Sequence, residues 1–343
     1  MEYIDLRSDT VTRPTREMIT AMAGADAGDD VYGDDPTVNL LQELAAEKMG
    51  KEDSLFVPSG TFGNELAILT HADRGDEVII AESNHIVQHE VGAPTFLAGV
   101  QLRLLNDNNG SINIREAKKL IRPSDIHFPK TGLICTENAH SNGIVLDLEE
   151  MKELYRLGKK YGVPVHLDGA RIFNAATFLR VEAKQIAKNC DSVMFCLSKG
   201  LCSPIGSILC GTKKFISRAR KYRKLMGGGM RQVGYIAASG IISLEKMTKR
   251  LREDHKLARY LAKKLEAVAF IKVLRERLDI NMVFFKVRRE GFNHQDFVNY
   301  MEKNRVKINP PLGGEYRFVT HYWINREDID QTVDLILKYK TGE

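Results

Sequence analysis

No excess of one charge marks this sequence: 50 Lys and Arg against 45 Asp and Glu leave +5 over 343 residues. A strong polyelectrolyte role is excluded. The basic residues are scattered apart from RARKYRK at 218–224, which lacks the aromatic interleaving of a single-strand binder and reads as a solvated helix face, so no nucleic-acid partner is expected. No uncharged apolar stretch approaches the ~18–20 residues that span a bilayer, so no membrane role is expected either. The opening MEYIDLRSDTVTRP carries Glu2, Asp5, Arg7 and Asp9 with no apolar run between them. It does not fit a secretory signal, and a cytoplasmic location is expected. Cysteine is sparse and unpatterned: five residues, at 135, 190, 196, 202 and 210, form no C-x-x-C pair and read as reduced core thiols. Also missing are G-x-x-x-x-G-K-[ST] and G-x-G-x-x-G, so NTPase and dinucleotide readings have no motif behind them.

What is present is an alternation. The β-branched runs SLFVP, EVIIA, QLRLL, GLICTE, PVHLD, SVMFCLS and GSILCG are mostly separated by helix-length segments, the signature of parallel βαβ units in an α/β fold. Helix starts support it. Asp35 precedes Pro36 as an N-cap, Asp147 with Glu150 makes a capping box, and Gly162 closes the helix that follows. Residues 231–268 read as a long exposed helical connector. Length predicts about two domains: an N-terminal arm over 1–14, a large domain over 15–249, and a smaller α+β domain over 250–343 holding strands NMVFFKV and EYRFVTH and a final helix capped at Asn325.

Three segments carry chemistry. In HLDGARIF an apolar strand delivers Asp168 at its C-terminal end, followed by Arg171; strand ends are where α/β sheets build sites, although Asp168 could equally cap the next turn. In FCLSKG a second strand ends at Ser198 and Lys199, where burial would leave a lysine nucleophilic and able to form a Schiff base. In VPSGTFGN, Ser59, Gly60 and Thr61 open a helix whose N–H groups can hold a phosphate. An anion cradle, a strand-end carboxylate and a strand-end lysine are together what pyridoxal phosphate requires. His85 and His89 stand at i and i+4 beside Glu90, a metal-compatible spacing, but the order is not H-E-x-x-H and no third ligand is evident; no metal is expected. His85 fits a stacking or acid/base role, while His127 and His321 stay open between core, interface and catalysis. In GGGMRQ, three glycines precede Arg231, which with Lys224 could supply cations to a phosphate, or could mark a hinge.

LRSDTVTRPT, GDDVYGDDPT, VPSGTFGN, IHFP, HLDGARIFNA, MFCLSKGL, GGGMRQ and RFVTH, in this order from residue 6 to residue 321, resemble the low-specificity L-threonine aldolases. The resemblance implies fold-type I pyridoxal phosphate architecture, retro-aldol cleavage of L-threonine, L-allo-threonine and related β-hydroxy-α-amino acids to glycine and an aldehyde, and a homotetramer with shared active sites. It implies Lys199 as the cofactor-bearing lysine, Asp168 as partner of the pyridinium nitrogen, Arg171 at the ring oxygen, and His85 stacked on the ring. Ser59, Gly60, Thr61 and Ser198 would bind the phosphate, with Lys224 and Arg231 arriving from a neighbouring subunit. Ser8 and Arg317 would take the substrate carboxylate, with Tyr32, His89 and Arg171 also on the substrate side, and His85 or a water on His127 would serve as base. Two departures bear on side-chain preference: ENAHSNGIV is shortened, with Ala139 where threonine is common, and His89 stands where an aromatic ring is usual. A β-eliminating lyase or an aminotransferase would use the same anchors. A non-catalytic binder of pyridoxal phosphate would have no use for Arg317.

Overall fold

The computed structural model describes residues 3–107 and 110–339. A seven-stranded sheet forms from β1 (Asp53–Val57), β2 (Glu77–Ala81), β3 (Gln101–Leu105), β4 (Thr131–Glu137), β5 (Val165–Asp168), β6 (Ser192–Cys196) and β7 (Ser207–Gly211). The order is β1-β7-β6-β5-β4-β2-β3, all parallel except β7, which runs against both neighbours. Every residue of β2, β4, β5, β6 and β7 is buried, as near-continuous apolar runs covered on both faces demand. Only β3, at the edge, is largely accessible.

The helices follow their caps. Helix α1 (Pro36–Met49) starts where Asp35 accepts the Val38 N–H at 3.0 Å. Helix α2 (Gly60–His71) leaves β1 and crosses the sheet to β2, which lies far from β1 in the strand order. Its glycines permit the crossing: a Cβ on Gly63 would sit 2.6 Å from Met194 Cγ, and one on Gly60 2.8 Å from Cys196 Sγ. The short helix α3 (His85–His89) follows β2. Helix α4 (Leu148–Tyr161) carries the Asp147/Glu150 capping box and ends at Gly162 with φ 67°, a left-handed position that suits glycine. Helix α5 (Lys213–Leu225) holds the basic run, yet Arg223 is buried against Asp30 and donates to the Phe56 carbonyl at 2.8 Å, so that face is not wholly solvated.

Residues 231–268 are not an exposed connector. The segment Gly234–Ile242 is mostly buried, because its apolar GYIAASGII packs against α1, with Gly240 close to Leu41. Helix α6 (Thr248–Glu266) then passes between two cores, giving Leu251 to the first and Ala258, Leu261 and Leu265 to the second. The second core lies under an antiparallel sheet of β8 (Ile271–Val273), β9 (Met282–Val287) and β10 (Tyr316–Val319), with the last described helix, α7 (Arg326–Lys338), capped at Asn325. The opening segment belongs to this second core. Ile4–Asp5 pairs in parallel with Val306–Lys307, and Ile4 and Leu6 are buried there. Among the described residues no helix is long and apolar enough to cross a membrane, and all five cysteines are buried and unpaired.

Candidate active site

Strand order reverses around β2 and β4, and there the C-terminal strand ends open a crevice. Two cavities meet in it. The inner one, about 300 Å³, is bounded by Ser59, Gly60, Thr61, Asp168 and Ser198; the outer one, about 800 Å³, by Ser8, His89, Arg171 and Arg317. Thr10, His85 and Lys199 line both.

The inner cavity is built from a helix start and two strand ends. Ser59 caps α2 by accepting the Phe62 N–H at 3.1 Å, which leaves the Gly60 and Thr61 N–H groups without intrahelical acceptors. Asp168 ends β5. Its Oδ1 accepts the Ala170 N–H at 3.0 Å, and its Oδ2 accepts Asn64 Nδ2 at 2.8 Å. The turn-capping role and the strand-end site therefore coexist in one carboxylate. Lys199 follows β6, and its carbonyl is held by Thr12 Oγ1 at 2.7 Å, so the opening segment fixes the lysine's backbone.

His85 is gripped from two sides. Its backbone N–H donates to Glu137 Oε2 at 2.8 Å, and Nδ1 lies 2.9 Å from Glu90 Oε1. Burial works against the charged imidazole, but the Glu90 hydrogen bond and the Asp168 charge outweigh it, and the His85 pKa is raised. With Nδ1–H donated to the carboxylate, Nε2 is the basic nitrogen of the neutral ring. The His89 ring sits 5.3 Å away, its pKa lowered by burial and by the charges of His85 and Arg317.

The outer cavity collects cations. Arg171 donates through Nε and Nη2 to Asp9 at 2.8 and 2.5 Å, a buried pair in which only the arginine retains contact with the cavity. Arg317, on β10, donates to the Arg7 carbonyl at 3.4 Å, and burial followed by the nearby Arg171 charge lowers its pKa. Ser8 caps the turn Asp9–Val11 by accepting the Thr10 N–H at 3.2 Å. Two arginines beside a serine hydroxyl form a ready site for a carboxylate.

Lys199, Asp168, Arg171, His85, Ser59, Gly60, Thr61, Ser198, Ser8, His89 and Arg317 thus share one crevice. Four expected residues do not reach it within this chain. His127 stands on an exposed turn with Nδ1 2.9 Å from Asp125. Tyr32, exposed, lies under the Arg231 guanidinium at 5.7 Å; Arg231 is itself paired to Asp29 at 2.7 Å, and Lys224 ends α5. Sequence reasoning does not single out Asn64, Asp9, Glu137 or the hold of Glu90 on the His85 ring. The signal for Asn64 was its place one helical turn beyond the anion cradle, on the same face as Gly60. His85, Glu90 and Asp168 also approach one another closely enough to hold a cation; Asn64 instead bridges the two carboxylates, donating to Glu90 at 2.8 Å.

The donor set fits pyridoxal phosphate: first-turn N–H groups for a phosphate, a carboxylate for a pyridinium nitrogen, and an amine within the same cavity. A family model described as beta-eliminating lyase matches residues 5–288. The low specificity L-threonine aldolase of Escherichia coli K12 is 44% identical over 95% of this chain and 96% of its own, and a probable low-specificity L-threonine aldolase of Arabidopsis thaliana is 40% identical over 98% and 96%. The threonine aldolase structure from Leishmania major superposes with a TM-score of 0.83 at 19% identity, covering 97% of this chain and 98% of that one. With its mostly parallel sheet and joined crevice, the chain has the fold-type I architecture and belongs to the beta-eliminating lyase family, in its low-specificity L-threonine aldolase branch.

Proposed function

We propose that the protein cleaves L-threonine, L-allo-threonine and other β-hydroxy-α-amino acids to glycine and an aldehyde, with pyridoxal phosphate in the inner cavity. The observation that carries this reading is the junction: Lys199 and His85 line both the cavity with the phosphate-binding helix start and the cavity with Ser8 and Arg317. Lys199 would hold the cofactor's aldehyde carbon, Asp168 its pyridinium nitrogen, and Ser59, Gly60, Thr61 and Ser198 its phosphate. Once bound, the cofactor supplies an electron sink for the pair left on Cα when the Cα–Cβ bond breaks.

The chain's own residues do the rest. Arg317 and Ser8 hold the substrate α-carboxylate and so fix rotation about Cα, which selects the bond to be weakened. His85 takes the β-hydroxyl proton at Nε2 while Glu90 steadies Nδ1–H, and loss of that proton releases the aldehyde. His89, at the outer cavity, faces the β-substituent and bears on side-chain preference. Tyr32 and Arg231 stack on one another at the surface, Lys224 is exposed near the end of α5, none of the three lines either cavity, and His127 lies on another exposed turn. This favours a homo-oligomer, a homotetramer by family resemblance, in which they complete a neighbour's site. The buried unpaired cysteines favour a cytoplasmic location.

The test is direct. L-Threonine added to pyridoxal-phosphate-loaded protein should yield glycine and acetaldehyde, the latter read by NADH loss with alcohol dehydrogenase. Ammonia and 2-oxobutyrate in their place would move the assignment to a β-eliminating lyase.

A further inference from the structure

Behind His85 lies a group that neither the cofactor nor the substrate would touch. Glu65, on α2, is 1% exposed, and both of its carboxyl oxygens lack a hydrogen-bond donor. Its carboxyl neighbour is Glu90, whose Oε2 is likewise buried without a donor. The other oxygen of Glu90 is already committed: Oε1 takes His85 Nδ1 at 2.9 Å and Asn64 Nδ2 at 2.8 Å. Two carboxyl groups facing each other with no other donor make a hydrogen bond only if they share a proton. Because Glu90 is the acceptor for two donors on its far side, that proton belongs on Glu65.

We propose that Glu65 is a positioning residue: a buried carboxylic acid that keeps its proton, donates it to Glu90 Oε2, and so holds Glu90 Oε1 against the His85 ring. The role of His85 here rests on the function proposed above. The charge surroundings agree. Burial first, then the charge and hydrogen bond of Glu90, push the Glu65 carboxyl up to about 9, so it stays protonated at neutral pH. The titratable groups around the assembly are Cys135 and Glu137 from β4, Asp168 from β5, and Lys199 and His89 beside His85. Cys135 is a neutral thiol, its pKa raised well above ordinary by burial first. None of these supplies Glu90 Oε2 with a hydrogen bond, so Glu65 alone completes its coordination.

Glutamine can replace a protonated glutamate as donor, and leucine cannot. In Glu65→Leu, Glu90 loses one of three donors and its remaining charge falls on His85, raising the imidazole pKa by about one unit. Two measurements on the loaded protein decide the matter, neither of which needs turnover. The infrared difference between wild type and Glu65→Gln at pH 7 should show a protonated-carboxyl band that is present in wild type and missing from the variant. NMR titration of the His85 ring, assigned by its loss in His85→Gln, should coincide in wild type and Glu65→Gln and shift upward in Glu65→Leu. An unchanged band in Glu65→Gln, a Glu65→Gln titration that departs from wild type, or a Glu65→Leu titration that stays put or moves down would each overturn the proposal. Should Glu65→Leu fail to fold, the infrared difference still decides. Failure of wild type to cleave threonine would count against the function proposed above and leave both spectroscopic results to stand on their own.

Discussion

Asp9 ties the opening segment to the catalytic edge of the sheet, and removing it tests how strong that tie is. The side chain is fully buried and receives Arg171 through two charge-assisted bonds at 2.8 and 2.5 Å, with Asn281 at 3.4 Å. Burial would push the carboxyl up, but the charge and hydrogen bonds of Arg171 outweigh it and hold Asp9 well below the usual carboxylate range. Truncating one partner of a buried pair leaves the other uncompensated, at a cost of about 3–5 kcal/mol. Asp9→Ala should therefore lose that much unfolding free energy at pH 7. The assay is urea titration at fixed protein and cofactor concentrations, since bound ligand and subunit association shift apparent stability. Adding Arg171→Leu removes the stranded cation and should recover part of the loss, with a coupling of about 2 kcal/mol in the double-mutant cycle. Linkage supplies a second check. A carboxyl depressed in the folded state contributes stability that is fully present above its unfolded pKa of about 3.9 and is lost as pH falls toward the folded value. Wild type should thus lose stability below about pH 3.9 more steeply than Asp9→Asn. An Asp9→Ala loss under about 1 kcal/mol, with no coupling to Arg171, would refute the reasoning.

Lys199→Ala should reduce threonine cleavage to background while leaving the protein folded, as read by the NADH-coupled assay and circular dichroism. Arg317→Leu should raise KM for threonine roughly 10–100-fold, the worth of a charge-assisted carboxylate contact, with a smaller effect on kcat. If His85 acts as base it works deprotonated. The acid limb of kcat/KM should then sit above the ordinary histidine value of about 6.5, because the His85 pKa is raised, and His85→Gln should cost about 10²–10⁴-fold in rate. Burial raises Asp254 to about 7, against the opposing charge of Arg250. A carboxyl raised on folding penalises the folded state as it ionises, so wild-type stability should fall between about pH 4 and pH 7, and Asp254→Asn should flatten that decline in a melting series. Mixing inactive Lys199→Ala with inactive Arg231→Ala under subunit exchange should restore partial activity if sites are shared; no recovery would argue for sites complete within one chain.

What could be read from sequence divides along a physical line. The seven sheet strands lie where β-branched runs marked them, and the caps at Asp35, Asp147 and Asn325 and the stop at Gly162 form as read, because these signals are local. Lys199 and Asp168 were visible for a related reason: a charged residue at the end of an apolar strand stands out against its own neighbours. Glu65 and Asn64 did not stand out. In GTFGNELAILTH they look like the polar stripe of an amphipathic helix, yet residues Gly63 through Ile68 are all buried. The cause is tertiary: α2 must cross the sheet from β1 to β2, and glycines at Gly60 and Gly63 let it lie close to β6. Both polar residues then face protein instead of water. The misread segment 231–268 reflects the same blindness from the other side, since the charged turns of α6 hide the apolar Gly234–Ile242 that docks on α1. A helix sealed all round has no solvated face on which to place a carboxylate, so an acidic residue there must find a donor or keep its proton. Glu65 finds no donor, and the neighbour it meets in this buried position is Glu90, the carboxylate already bound to His85.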